Sequence, residues 1–467
     1  MERSDVKMME KLFDEYRGLS DKKIRPNEPK SEQFLKAFKE LLDKKNNWAF
    51  LLPFKLSLEA CTHCGTCAEA CPVYIGSGRE KIYSPVYRAD MLRRIYKKYF
   101  TLSGRIFGRL VGAKEITERD VNALAEAAYR CTICRRCALA CPFGLDNGLI
   151  MREARKILAE LGIVPDELKE EGVENQITYG SAPKIPYEAL MNILDFVKSE
   201  IEENRKNVNI EVPVDKVGAK YLIINNAGDY LSFLDTIRGI VEIMNYVNED
   251  WTFNSQNTGV FDNVNYGLFY SDKDMIRVIR AHLETFKKLK PEYVVVGECG
   301  HAYDVLGHLM KDLIPAEERP FKVIHIVELY DKFLREGKLK LDKDKNSAPV
   351  TFHDSCKIGR CGGIYDEPRR LIAASCRDFR EMYPNREYNY CCGGGGGFAL
   401  MSKYNFLDFR MKTYGKLKVQ QIKDTGASTL ITICANCKRQ FLDMVSYYNL
   451  NTTVSGLSEI IANALVY

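Results

Sequence analysis

Apolar positions follow a helical period in the first half of the chain and form short strand-length runs, separated by helical stretches, in the second. Residues 1–50 are charged and predict helix, with Phe34, Phe38, Leu41 and Leu42 at amphipathic spacing. Tyr87, Met91, Leu92, Ile95, Tyr96 and Tyr99 keep the same three-to-four period and predict another helix. Residues 165–218 are polar and carry Pro165, Pro183, Pro186 and Pro213, the composition of a linker with one helix over 189–198. From about residue 219 the apolar runs Tyr221–Ile224, Tyr293–Val296, 322–326, 350–352 and 429–433 have buried-strand length. Helical stretches lie between them at 235–246, Asp272–Leu289, 327–335, 368–375 and 406–423. That alternation predicts α/β layers with largely parallel strands.

This second half contains a faint internal repeat. One copy runs from the Tyr221 strand through the 272–289 helix to a strand end reading Glu298, Cys299, Gly300, His301. The other runs from the Val350 strand through the 406–423 helix to Cys434, Ala435, Asn436, Cys437. Two pseudo-symmetric halves, one of them chemically armed, is one reading. Chance likeness between α/β units is the other.

Length and composition narrow the class. A chain of 467 residues holds two to four domains. No stretch approaches the roughly 18–20 apolar residues of a membrane-spanning helix, so no transmembrane segment is expected. The net charge of +5 does not imply nucleic acid, although residues 79–114 hold ten Lys/Arg against two Asp/Glu. That basic stretch suits anionic lipid, an acidic partner or a solvated helix face. The 16 cysteines stand out, and they cluster at short spacings that suit metal ligation better than loop stapling. Residues 1–30 show no apolar run of the signal-peptide kind. A reducing cytoplasm is therefore the expected setting.

Two cysteine runs carry the strongest motif. Cys61, Cys64, Cys67 and Cys71 precede Pro72, and Cys131, Cys134, Cys137 and Cys141 precede Pro142. Three thiolates at three-residue steps fit three irons of one cubane, and the fourth reaches the other cluster. The spacing thus assigns one [4Fe–4S] cubane to Cys61, Cys64, Cys67 and Cys141, and a second to Cys131, Cys134, Cys137 and Cys71. Zinc needs four ligands in a closed site and gives no reason for a four-cysteine run ending in proline, twice. His63 is expected to be a polar neighbour of the first cluster, not a ligand.

A second constellation lies near the C-terminus. Cys356 follows a strand, Cys391 and Cys392 precede five glycines at 393–397, and Cys434 and Cys437 follow another strand. Parallel strands would bring these five thiols to one side of the sheet. Vicinal cysteines serve different irons of an opened cluster more comfortably than one iron of a cubane. The glycine run would let backbone approach the sulfurs closely. Zinc, a redox disulfide and structural thiols remain alternatives on spacing alone, whereas a phosphate loop is disfavoured by the missing Gly-Lys-Ser/Thr ending. His353 and His301 flank the site as potential proton sources, or as histidines satisfied by backbone. Cys361 and Cys376 read as structural thiols.

Cys356, Cys391, Cys392, Gly393, Cys434 and Cys437 together resemble the CCG domain of the heterodisulfide reductase family. The paired ferredoxin runs resemble its cluster-carrying subunit, and their fusion over residues 55–467 is similar to its D-type polypeptide. The resemblance implies a noncubane [4Fe–4S] cluster held by the five cysteines, where disulfide-type substrates are reduced. The chain departs from a two-motif member. Its first repeat has Asn225, Asn226, Asn257, Thr258 and Gly259 where cysteines are expected, keeping only Cys299. A single intact motif is most similar to the DsrK-type subunit of a sulfite-reduction-associated membrane complex, and also resembles the F-type subunit of high-molecular-weight cytochrome c complexes. The DsrK resemblance implies a cytoplasmic subunit seated on a cytochrome b-type membrane partner, with a DsrC-like thiol/disulfide protein as substrate.

The expected fold class is α+β multidomain: a helical two-[4Fe–4S] ferredoxin-type domain, then two pseudo-repeated α/β CCG-type domains, the first degenerate. Expected boundaries are 1–54 for a helical extension, 55–165 for the ferredoxin-type domain and 166–218 for the linker and helix. The degenerate CCG-like domain follows at 219–345 and the cluster-binding CCG domain at 346–467. Two other functions compete with disulfide reduction: an iron–sulfur subunit of a quinone-linked lactate, glycolate or glycerol-3-phosphate oxidising system, and a wiring subunit without an active site.

Overall fold

In the computed structural model, residues 19–21, 29–205, 208–401 and 406–467 are described. They form two compact units. Of the helical stretch expected over residues 1–50, residues 1–18 and 22–28 lie outside the described residues, and Leu19–Asp21 is a strand instead, held by backbone pairing to residues 163–165.

The first unit comprises residues up to Lys169 together with 269–272 and 393–417. It is mostly helical. Phe34, Phe38 and Leu41 form the buried face of helix Lys30–Leu41, and the Phe38 ring lies 5.0 Å from Phe100 and 6.3 Å from both Phe54 and Tyr96. Pro85 opens helix Pro85–Phe100 at a position where a missing N–H costs nothing. Thr117 and Asp120 cap helix Glu118–Tyr129 reciprocally. Strand β1 (Leu19–Asp21) pairs antiparallel with β2 (Ile163–Pro165).

Distant segments are stitched into this unit by buried charge. Arg155, on helix Asn147–Glu160, donates to the carbonyls of Ala128, Cys131, Phe269 and Gly396 at 2.6–3.1 Å. Asp272 meets Arg152 at 2.6 Å and also pairs with Lys156, which holds its carboxylate below the usual range.

Two parallel sheets organise the second unit. Strands β3 (Tyr221–Ile224), β4 (Trp251–Thr252), β5 (Tyr293–Val296) and β6 (Lys322–His325) lie in the order β4-β3-β5-β6. Strands β7 (Val350–His353), β8 (Thr429–Thr432) and β9 (Thr453–Gly456) lie in sequence order. Tyr221–Ile224 and Val294–Val296 are buried on both faces, as strands covered by helices must be. Helices Leu234–Tyr246, Asp272–Leu289, Ile326–Arg335, Asp366–Ser375 and Ala435–Tyr448 connect or follow the strands.

Parallel pairing aligns the C-terminal ends of β7 and β8, with His353 opposite Thr432. The segments 354–356 and 434–437 therefore emerge from neighbouring strand ends. The 406–423 stretch is helical throughout but is interrupted by a π turn at Met411–Gly415.

Candidate metal centres

The two N-terminal cysteine loops share one backbone path. His63 and Gly65 have φ of 59° and 82°, and the equivalent Ile133 and Arg135 have 53° and 61°. Left-handed backbone is uncommon for Ile and Arg. A short helix follows each loop, Thr66–Glu69 and Arg136–Leu139. Cys71 occupies the N-cap position of helix Pro72–Gly76.

Cys67 belongs with Cys61, Cys64 and Cys141. Burial pushes its thiol up to about 11, and the negative field of the other three adds to the rise while Arg93 opposes it. Asn147 Nδ2 donates to Cys67 Sγ at 3.4 Å, and Arg93 donates to Asn147 Oδ1 at 2.7 Å. His63 points elsewhere: its Nε2 meets Asp90 Oδ1 at 2.9 Å.

Cys71, Cys131, Cys134 and Cys137 line one cavity with Arg88, Asn147 and Met151. Burial pushes Cys71 up to about 12 and raises Cys131 and Cys137 as well. Arg88, 1% exposed, counters the rise at Cys71 and Cys131, and the Ile133 N–H donates to Cys131 Sγ at 3.4 Å. Four thiols around a cavity, three of them (Cys71, Cys131 and Cys137) pushed towards the protonated form by burial, fit a positively charged metal core. Metal replaces the protons and relieves the burial of charge.

In the second unit, Cys356, Cys391, Cys392, Cys434 and Cys437 are all buried. Cys392 Sγ lies 3.2 Å from Cys437 Sγ, and a His353 ring nitrogen falls within 4.8 Å of both sulfurs. Cys434 joins them. Contact with the Cys437 thiol lowers its pKa to about 6, helped by the backbone N–H groups of Cys437 and Gly300 and by Ser355. Ser355 Oγ is 3.9 Å from Cys437 Sγ and directly precedes Cys356. The negative charge of Cys391 acts on Lys418 together with that of Cys392 and Cys437. A dense, buried sulfur set with backbone N–H donors suits an iron–sulfur core.

Three groups here were not picked out from sequence. Lys418 is fully buried, and its Nζ donates to Asn389 Oδ1 at 2.7 Å. That contact orients Asn389 Nδ2 towards His353 Nδ1, 3.2 Å away. Burial lowers Lys418 to about 7. Nearby, Lys357 pairs with Asp304 at 2.6 Å. The signal was present for Lys418, which shares the inward face of helix Lys416–Thr425 with Val419, Gln421 and Ile422.

His301 and His353 are both neutral at physiological pH. Burial and Lys357 take His301 down to about 3, and burial with Lys418 takes His353 well below its ordinary value. His301 Nδ1 contacts Asn436 Nδ2, inside the Cys434–Cys437 turn, at 2.5 Å. The glycine run departs from expectation at its far end. A side chain at Gly396 would strike the Cys131 carbonyl at 2.8 Å and one at Gly397 would strike Leu168, so the close approach serves the ferredoxin-type loop. Cys376 is raised to about 12 by burial alone.

Family comparisons agree with this geometry. Residues 57–145 match a 4Fe-4S dicluster domain and residues 350–442 a cysteine-rich CCG domain. An Hdr-like menaquinol oxidoreductase iron-sulfur subunit 2 from Archaeoglobus fulgidus is 28% identical, covering 93% of this chain and 83% of its own. The D-type polypeptide of dihydromethanophenazine:CoB--CoM heterodisulfide reductase from Methanosarcina mazei is 26% identical over 91% of this chain and 97% of its own. Over most of its length the chain is similar to the D-type heterodisulfide reductase / CCG-domain family.

The matched domains and these relatives support an iron–sulfur electron-transfer oxidoreductase subunit. A third relative, EtfAB:quinone oxidoreductase from Syntrophomonas wolfei, is 24% identical over 88% of this chain and 58% of its own. No helix among the described residues is long and apolar enough to cross a membrane.

Proposed function

We propose that this subunit passes electrons from a quinol-linked, cytochrome b-type membrane partner to a disulfide- or trisulfide-type substrate, a small DsrC-like protein. It works at the cytoplasmic membrane surface within a redox complex. Cys61, Cys64, Cys67 and Cys141 hold one cubane [4Fe–4S] cluster. Cys131, Cys134, Cys137 and Cys71 hold the second. Cys356, Cys391, Cys392, Cys434 and Cys437 hold a noncubane cluster. When bound, these groups supply one-electron storage and an iron accessible to substrate sulfur. The supporting observation is the approach of Cys392, Cys434 and Cys437 to one another beside His353.

Reducing one disulfide consumes two electrons and two protons and yields two thiols. The residues beside the C-terminal sulfurs are suited to managing that charge. Lys418 donates to Asn389, and Asn389 donates to His353 Nδ1, leaving the imidazole proton on Nε2. Nε2 is buried and makes no hydrogen bond among the described residues, so its N–H is available to a sulfur. Protonated Lys418 places a positive charge opposite Cys391 and Cys392. Burial of all five cysteines excludes bulk water from released thiolate.

Likeness to the EtfAB:quinone oxidoreductase favours a second reading, in which electrons run towards quinone and no sulfur substrate is involved. Electron paramagnetic resonance of the oxidised protein separates the two. A C-terminal signal that changes on adding a thiol or disulfide substrate supports the reductase. A signal indifferent to both contradicts it.

A further inference from the structure

The first unit carries an apolar knuckle that the other described residues leave exposed. Helix Leu102–Phe107 and the turn Gly108–Val111 follow directly on helix Pro85–Phe100. Leu102, Ile106 and Leu110 stand four residues apart and are 74%, 64% and 89% exposed, with Phe107 at 55%. No large apolar side chain among the described residues is more exposed than Leu110.

This exposure is not fraying. Thr101 Oγ1 caps the helix by accepting from the Gly104 N–H at 3.1 Å. Arg105 donates twice to the Tyr99 carbonyl, and Lys97 Nζ donates to the Val111 carbonyl at 3.2 Å. A side chain at Gly104 would collide with the Lys97 carbonyl, so the turn is packed tightly against the preceding helix. The knuckle is held in a fixed shape with its apolar side chains outward.

Positive charge surrounds it. Of the basic residues in 79–114, Arg88 and Arg93 are buried, while Lys98 and Lys114 pair with Glu115 and Asp120. Arg105 and Arg109 are exposed on the knuckle itself, and neither has an acidic partner among the described residues. An occupant must therefore accept apolar side chains and offer negative charge beside them. Cytoplasmic loops of membrane proteins are themselves rich in Lys and Arg and would repel such a surface. An anionic bilayer offers acyl chains and negative headgroups together.

We infer that residues 102–111 seat in the headgroup–acyl boundary of an anionic bilayer, so that this subunit touches the membrane directly as well as through a partner. The inference does not depend on which substrate the C-terminal site takes.

Vesicle flotation of the full-length, cluster-loaded chain tests it. Wild type should float with vesicles of mixed phosphatidylcholine and phosphatidylglycerol, and bind those of phosphatidylcholine alone about tenfold less well. The double substitution Ile106→Ser/Leu110→Ser should lower binding to both compositions at unchanged iron content. Arg105→Gln/Arg109→Gln should lower it only for the anionic vesicles. A milder variant, Leu110→Trp, should show fluorescence quenching by brominated lipid in anionic vesicles. Wild-type flotation by the serine variant, absence of quenching in Leu110→Trp, or flotation only when vesicles contain a membrane protein partner would each overturn the inference.

Discussion

The two parallel sheets of the second unit end in different chemistry on nearly the same backbone. Cys299 follows β5 and Cys434 follows β8. Each is the extended residue that begins a helix, with φ and ψ of −138° and 106° for Cys299 and −145° and 118° for Cys434. What surrounds the sulfur differs. Cys434 has the Cys437 thiol, two backbone N–H groups and Ser355 directed at it, and its pKa falls to about 6. Cys299 is raised by burial and by the negative fields of Cys434, Asp229 and Asp262. Strand-end geometry places a thiol, while donors and neighbouring thiols decide whether it is fit to bind metal.

The same contrast holds at the other strand ends. Where β7 leads to Cys356, β3 leads to Asn225 and Asn226. Asn225 Nδ2 donates to the Tyr230 hydroxyl at 3.3 Å, and Asn226 caps helix Ala227–Ser232. Buried carboxylates accompany them: Asp229, Asp262 and Glu298 are at most 2% exposed. The first sheet has a hydrogen-bonded polar floor where the second has sulfur.

The sharpest way to break this comparison is to exchange serine for cysteine on each side. Cys437→Ser should lower substrate reduction by 100-fold or more, roughly the loss expected when a reacting centre is removed, and abolish the C-terminal paramagnetic signal. Cys299→Ser should change turnover by less than about twofold. Equal losses from the two substitutions would erase the distinction.

Next in size is the charge opposite the sulfurs. Lys418→Met should reduce turnover about 10- to 100-fold with iron content unchanged, the range for loss of a group that orients the residues around a metal site. Lys418 is protonated below its pKa of about 7, so the wild-type rate should fall as pH rises through about 7. The methionine variant should lose that limb, as read from a pH–rate profile.

The carboxylate floor should show itself in stability. Burial raises Glu298 to about 7, against opposition from Lys438. Folding therefore retains its proton, and this contribution is complete below the unfolded value near 4.5 and disappears as pH climbs through about 7. Glu298→Gln should raise the melting temperature relative to wild type at pH 8 and make little difference at pH 5. The smallest effect is expected from Asn226→Ala, which removes a helix cap worth about 1 kcal/mol and should be visible in denaturant unfolding without loss of iron.

Much of this was legible in sequence because the strongest signals are local. Tyr221–Ile224 and Tyr293–Val296 are four-residue apolar runs and form strands with those bounds, and helix Asp272–Leu289 follows the apolar period of its sequence from end to end. Strand β4 has only two residues at a sheet edge, and β9 has Val454 as its one large apolar residue, so neither offers an apolar run. The cysteine spacing marked the candidate ligands. Lys418 sits on the inward face of its helix, but neither it nor Asn389 and Lys357 follows a motif, because their roles arise from contacts with residues 29–53 positions away. The glycine run misled at Gly396 and Gly397 for the same reason: a run of glycine announces close packing without naming the neighbour.

Iron and acid-labile sulfide per chain test the central claim most directly, measured on wild type and on Cys392→Ser/Cys437→Ser. Three four-iron centres predict about twelve irons in wild type and about eight in the variant. About eight in both would show that the C-terminal sulfurs hold no cluster, contradicting the account.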